Sequence, residues 1–161
     1  MFFERLSQTN MDAAIQGYEQ MWPIHDRYSG TIATNLGVWY MRKQQQAMVA
    51  KNKDEEAAWR LKAAQILHEG VERAPSHSVL RNTRGVFLMG QQMWKDALVE
   101  FDYSVHLNKK SPFVYRNRGS CYVALGDFER AQAEYEKAYQ MDGRMQPQRR
   151  TTLDLEKRAK V

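Results

Sequence analysis

"RNTRG" at residues 81–85 and "YRNRG" at 115–119 end in the same Arg-Gly pair, and a single shift in numbering carries Gly85 onto Gly119. The likeness spreads outward from them. Under that shift of 34, Arg84 meets Arg118, Ala97 meets Ala131 and Glu100 meets Glu134. Large residues coincide in type: Trp94 with Phe128, Phe101 with Tyr135, Leu107 with Met141. Both copies run in the same order from glycine to alanine to aromatic, as Gly85, Ala97 and Phe101 and then as Gly119, Ala131 and Tyr135. Self-similarity at a fixed period marks a chain built from stacked units.

Each copy reads as two helices. "SPFVYRNRGSCYVAL" opens with Ser111 as N-cap and Pro112 in the first turn. "GD" at 126–127 breaks the pattern, and "FERAQAEYEKAYQM" is a second amphipathic helix that closes at "DG". In the earlier copy "GQQMW" at 90–94 supplies the turn, with Gly90 displaced from the position of Gly126.

The repeat continues upstream. Ala63 and Leu67 keep the plain shift of 34 to Ala97 and Phe101. Gly37 precedes Gly85 by more than that period, and the excess is 14. An insertion of that length therefore falls between Gly37 and Ala63. The intervening sequence favours helix, so two helices each prolonged by about two turns are expected, joined at Lys51 to Asp54 and projecting beyond their neighbours. Residues 12–22 read as the second helix of a truncated repeat whose first helix, "FFERLSQ", is short. After Pro147, "QRRTTLDLEKRAKV" suits a polar capping helix.

This pattern resembles the tetratricopeptide repeat (TPR) family, whose unit is two antiparallel helices. Tyr115, Gly119, Tyr122, Ala131, Tyr135 and Ala138 fill the family's series in order. Arg81, Gly85, Leu88, Ala97, Phe101 and Ser104 fill it less completely, and Ala33, Gly37, Tyr40, Ala63, Leu67, Gly70 and Pro75 fill it in the extended repeat. The resemblance implies an all-α fold, a right-handed superhelix (α-solenoid) of antiparallel helix pairs. Residues 1–161 are expected to form a single domain. It comprises a truncated repeat at 1–29, the extended repeat at 30–77, repeats at 78–111 and 112–145, and a cap at 147–161. Within each pair, Gly85 and Gly119 would make room at the helix crossing, with Ala97 and Ala131 meeting them.

Composition narrows the chemistry. One cysteine, Cys121, makes neither a disulfide framework nor a metal site, and it reads as core filler. His25, His68, His77 and His106 show no ligand spacing, and there is no phosphate loop or nucleophile elbow. A non-enzyme without cofactor or metal is expected. No apolar run approaches the ~20 residues of a membrane helix, and the first residues lack the basic and apolar segments of a secretory signal. These point to a soluble cytoplasmic chain. The net charge of +5 is uneven, with six Lys/Arg against two acids in residues 144–161.

The resemblance implies a peptide or protein segment bound along the concave face of the first helices. Helical periodicity places Thr31, Asn35 and Val38 on that stripe in the extended repeat. Asn82, Thr83, Val86 and Met89 follow in the next repeat, and Phe113, Arg116, Asn117 and Ser120 in the last. Asparagines can hold a peptide backbone, the apolar residues offer pockets, and Arg116 favours a carboxylate. Some family members clamp chaperone carboxylates with a Lys/Asn/Asn/Lys/Arg set. Here Thr34, Val38, Thr83, Phe113 and Asn117 stand at those places, which argues against that ligand. Two other readings are self-assembly into a homo-oligomer, through the elongated hairpin or the truncated repeat, and nucleic-acid association through the basic tail. The second lacks aromatics interleaved with the basic residues. Arg84 and Arg118 are expected to lay their stems over the packing seam and send their guanidinium groups outward.

Overall fold

The computed structural model describes residues 11–145, and every α-helix or 3-10 turn named here lies in that span. Seven α-helices follow one another: α1 (Met11–Met21), α2 (Ser29–Val49), α3 (Lys53–Arg73), α4 (Ser78–Gly90), α5 (Trp94–Leu107), α6 (Pro112–Ala124) and α7 (Phe128–Met141). Single 3-10 turns lie at Asp26–Tyr28 and Gly143–Met145. The expected short helix "FFERLSQ" and the expected cap at 147–161 lie outside the described residues.

The helices sort into two compact units that divide between Arg84 and Gly85, inside α4. In the first unit α2 turns Ile32, Ala33, Leu36, Trp39 and Tyr40 inward, and α3 answers with Ala63, Ile66, Leu67 and Val71. Those intervals are the three- and four-residue steps of a one-sided helix. From α1, Ala14, Ile15 and Tyr18 are buried as well. In the second unit Ala97, Phe101, Val114 and Cys121 form a core, with Leu88, Met89, Trp94, Leu98 and Val105 packed on it. Ala131 and Tyr135 make a further cluster with Tyr122, Val123 and Phe128.

The helix crossings differ in one respect from expectation. The residue that meets each glycine is the large one, not the alanine one helical turn before it. A Cβ on Gly85 would lie 2.5 Å from Phe101 Cε1, one on Gly119 2.7 Å from Tyr135 Cε1, and one on Gly37 2.5 Å from Leu67 Cδ2. Comfortable carbon contacts lie at roughly 3.5–4.0 Å. A ring or an isobutyl group therefore rests on bare backbone, and Ala63, Ala97 and Ala131 fill the seam beside it, each fully buried.

The insertion lengthens both helices of its pair. α2 and α3 each have 21 residues, against 13 in α4 and 14 in α5. The excess is about two turns per helix. The connection is tighter than expected, because Lys53 and Asp54 are already helical. Asn52 caps α3: its side chain accepts from Glu55 N at 3.2 Å and donates to Glu55 Oε2 at 3.1 Å. The hairpin is also less free-standing than expected. Lys43 of α2 pairs with Asp12 of α1 at 2.6 Å, and Tyr40 donates to Glu19 of α1 at 2.6 Å.

All three helix pairs turn in the same way. Asn52 N bonds Ala47 O at 2.9 Å, Met93 N bonds Leu88 O at 3.0 Å, and Asp127 N bonds Tyr122 O at 2.9 Å. The residue before each donor has positive φ: Lys51 at 57°, Gln92 at 61° and Gly126 at 80°. These are Schellman closures, in which the left-handed residue is normally glycine. Gln92 takes the place of Gly126, and Gly90 remains the last residue of α4. Asn52 and Asp127 also cap the following helix with a side chain, whereas Met93 makes no such bond. Ser111 occupies the N-cap position of α6 without a side-chain capping bond, and Pro112 opens the helix as expected.

The turn at 92 is therefore the weakest of the three. Gln92→Gly is expected to raise unfolding free energy by about 1 kcal/mol, and Gly126→Ala to lower it by about 1 kcal/mol, as read by denaturant titration.

Candidate peptide-binding faces

The candidate residues fall on one helix in the first unit and one in the second, with α4 shared between them. On α2 Thr31 is exposed, and Asn35 and Val38 are half-buried. Thr34 beside them donates its hydroxyl to Gly30 O at 2.7 Å. On α4 Asn82 is half-buried and Val86 is exposed. Thr83 is 6% exposed and its Oγ1 donates to Val79 O at 2.9 Å, so it does not belong to an accessible face. Its short side chain back-bonds to its own helix where an asparagine would reach further. Met89 leans on the second unit's core instead of standing clear.

The second unit presents the fullest set, on α6. Phe113 is 51% exposed, and the guanidinium of Arg116 lies 5.6 Å from its ring centroid. Asn117 and Ser120 are half-buried on the same stripe. Ser120 donates to Arg116 O at 3.2 Å, and its hydroxyl also lies 3.2 Å from Tyr135 Oη. The opposite stripe is committed to packing: Tyr115 is buried and donates to Lys109 O at 3.2 Å, while Gly119 lies under Tyr135. Periodicity puts Val79 on the same stripe at the Phe113 position, one repeat earlier on α4. It is 54% exposed.

Arg118 corrects the sequence reading. Its guanidinium does not point outward. Nε lies 3.1 Å from Asp102 Oδ1 of α5, and Nη1 lies 3.3 Å from Glu134 Oε2 of α7, with the arginine side chain 17% exposed. The arginine clamps the helices on either side of α6. Neither Arg118 Nε nor Glu134 Oε2 makes a well-directed hydrogen bond, so the clamp acts chiefly through charge. Burial raises the Glu134 carboxyl above its ordinary 4.5, with Arg118 opposing that rise. The sequence does carry a signal for the clamp: Glu100 and Glu134 coincide under the same shift as Arg84 and Arg118.

Cys121 is fully buried, and desolvation pushes its thiol up to about 11. At neutral pH it is a thiol, not a nucleophilic thiolate. Among the described residues no three His, Cys, Asp or Glu side chains gather to hold a metal ion, and no described helix is long and apolar enough to cross a membrane.

Arg118→Met removes the stronger of the two cations acting on Glu134, leaving Lys137, and is expected to cost about 2 kcal/mol. A carboxyl with a raised folded pKa favours folding most below its unfolded value, and that contribution fades as pH rises through the folded value. The loss in Arg118→Met should therefore be larger at about pH 8 than at about pH 5, measured by urea unfolding. Labelling of Cys121 by a disulfide reagent should follow global unfolding and be negligible in the native chain.

Residues 112–144 match the family model described as tetratricopeptide repeat. A stretch of 56 residues is 38% identical to sperm-associated antigen 1 of Mus musculus, and one of 57 residues is 35% identical to the same protein of Rattus norvegicus. Each stretch is 35% of this chain and 6% of the relative, so the chain spans a small part of the curated proteins it matches. Among solved structures, a thermophilic TPR protein of Thermus thermophilus aligns over 99% of this chain and 88% of that one, with TM-score 0.73 and 16% identity. The first TPR of Spaghetti (RPAP3), solved bound to the HSP90 peptide SRMEEVD, aligns over 74% of this chain and 92% of its own, with TM-score 0.55 and 21% identity. YrrB, described as a TPR protein with an unusual peptide-binding site, aligns over 97% and 89%, with TM-score 0.51 and 20% identity. Residues 112–144 are thus similar to a tetratricopeptide repeat, and the fold of the chain is that of solved TPR proteins.

Proposed function

We propose that the chain is a non-enzymatic protein–protein interaction module that binds an extended peptide segment along the first-helix faces. One observation carries the reading: Phe113 stands half in solvent on α6, with the Arg116 guanidinium over it and Asn117 and Ser120 on the same stripe. An exposed aromatic costs solvation that a partner's apolar side chain recovers. Arg116 supplies a cation for an acidic residue or a terminal carboxylate, and Asn117 suits the peptide backbone. In the first unit, Thr31, Asn35 and Val38 on α2 and Asn82 on α4 extend the same chemistry more weakly, without an aromatic.

The fold likeness to proteins described as peptide-bound or peptide-binding supports this class of ligand. The Lys/Asn/Asn/Lys/Arg set of chaperone-tail clamps is missing here, so the peptide is of another kind. It is an apolar residue followed by an acidic one, matched to Phe113 and Arg116.

Selection of a random peptide-display library on the full chain should enrich sequences that pair an apolar with an acidic residue. Phe113→Ala and Arg116→Ala should each weaken the selected peptides by about fivefold or more, with circular dichroism unchanged. Recovery of no peptide, or equal binding by wild type and both variants, would refute the assignment.

A further inference from the structure

The first unit holds a cleft of about 250 Å³ lined by Trp22, Tyr40, Lys62, Gln65, Ile66 and Glu69. It is remote from the first-helix stripe. On α2, Tyr40 stands nine positions after Thr31, which is about 180° round the helix. The walls are aromatic. Trp59 lies 5.7 Å from Tyr40, centroid to centroid, and adds its ring beside the cleft.

The polar groups around these rings favour a cation. Glu19 accepts from Tyr40 Oη at 2.6 Å and from Lys62 Nζ at 3.5 Å. The Lys62 ammonium stands 4.9 Å from the Trp59 centroid and 5.6 Å from that of Tyr40, so one cation already rests on the ring faces. Glu69 is different. It accepts from two neutral donors, Trp22 Nε1 at 3.3 Å and Gln65 Nε2 at 2.9 Å. Among the described residues no cation lies within ion-pair distance of it. Around these rings Glu19, Glu69 and Asp26 face Lys62 and Arg73, with Arg73 Nη1 3.9 Å from Asp26 Oδ1, so the group carries a net negative charge beside an aromatic wall. The guanidinium of Arg73 lies 4.2 Å from the Trp22 centroid, so this ring already carries a cation on one face and an incoming group would meet its edge or its other face.

We infer that this cleft receives an arginine side chain from a protein partner. The guanidinium is planar, stacks on indole and phenol rings, and presents paired N–H donors to a carboxylate such as Glu69. An ammonium would sit as a point charge and leave the flat walls less well covered. The cleft volume is ample for the side chain, and Ile66 offers its alkyl stem an apolar contact. The cleft shares no residue with the peptide face on α6.

The test uses the full-length chain labelled with nitrogen-15, in which four tryptophan indole resonances report. Trp22→Phe assigns the Trp22 signal by deleting it. Acetyl-Gly-Arg-Gly-amide is titrated against its neutral isostere, acetyl-Gly-citrulline-Gly-amide. The Arg peptide should move the Trp22 indole signal saturably and bind about fivefold more tightly than the citrulline peptide. Glu69→Gln should bring the Arg peptide down to the citrulline level with the other indole signals unmoved, while Phe113→Ala leaves binding intact. Equal binding of the two peptides, shifts confined to Trp39, Trp59 or Trp94, no saturable shift, or full binding by Glu69→Gln would each overturn the inference. Loss in Phe113→Ala alone would assign the arginine to the α6 face instead.

Discussion

A ring laid on a glycine sets the spacing of the helix pairs. Phe101 on Gly85 and Tyr135 on Gly119 bring two backbones closer than any side chain at the glycine would allow. Glycine inside a helix costs roughly 1 kcal/mol relative to alanine. That cost is offset because the ring is buried against the backbone at the crossing. Phe101 reaches 0% exposure in this way, and Tyr135 reaches 8%. The repeat period follows. It is the length of chain that returns to the same crossing after two short helices and two turns, and the Schellman closures at Gln92 and Gly126 hold that length constant.

The crossing also divides each first helix into two stripes of unlike fate. On α6, Tyr115 and Gly119 belong to the seam, and the stripe of Phe113, Arg116, Asn117 and Ser120 is left over. What the left-over stripe can do depends on side-chain length. Thr83 and Asn117 occupy equivalent positions in successive repeats. The asparagine stays half-exposed, while the threonine bonds to its own helix and disappears beneath its neighbours. A face read from periodicity alone therefore overstates what a ligand can touch.

The same contrast explains what the sequence can and cannot disclose. Helix pairs, turns and the two-turn lengthening of α2 and α3 are legible, because spacing along the chain determines them. The partner of each glycine is not. Ala97 and Phe101 lie one helical turn apart on one face of α5, and only packing decides which of them lies over Gly85. The direction of Arg118 is signalled only by the recurrence of Glu100 as Glu134, and a reading of its own helix misses it. Asp102 and Glu134 belong to the helices on either side, and a guanidinium turns toward carboxylates that no single helix reveals. Gly90, the obvious breaker two positions early, obscures the turn at Gln92. On the candidate face, the residue types are legible and their exposure is not.

Where the chain departs from its own period, it also departs in chemistry. Within the repeat frame an aromatic stands near a glycine and is consumed by packing, as Tyr135 is. The residues carried by the lengthened hairpin have no such crossing to fill. Lys43 and Trp59 lie on those extra turns, and Tyr40 and Lys62 stand beside them. Their partners are Asp12 and Glu19 of α1, charged groups on a helix that precedes the recognisable repeats. A purely structural tie between α1 and the hairpin would be complete with those pairs. Glu69 exceeds it, because a carboxylate held by an indole and an amide adds negative charge where the tie already balances. Buried or half-buried charge is costly unless it is met by its opposite. The repeat frame thus accounts for the scaffold, and the unbalanced carboxylate on its irregular hairpin marks where a partner's cation fits.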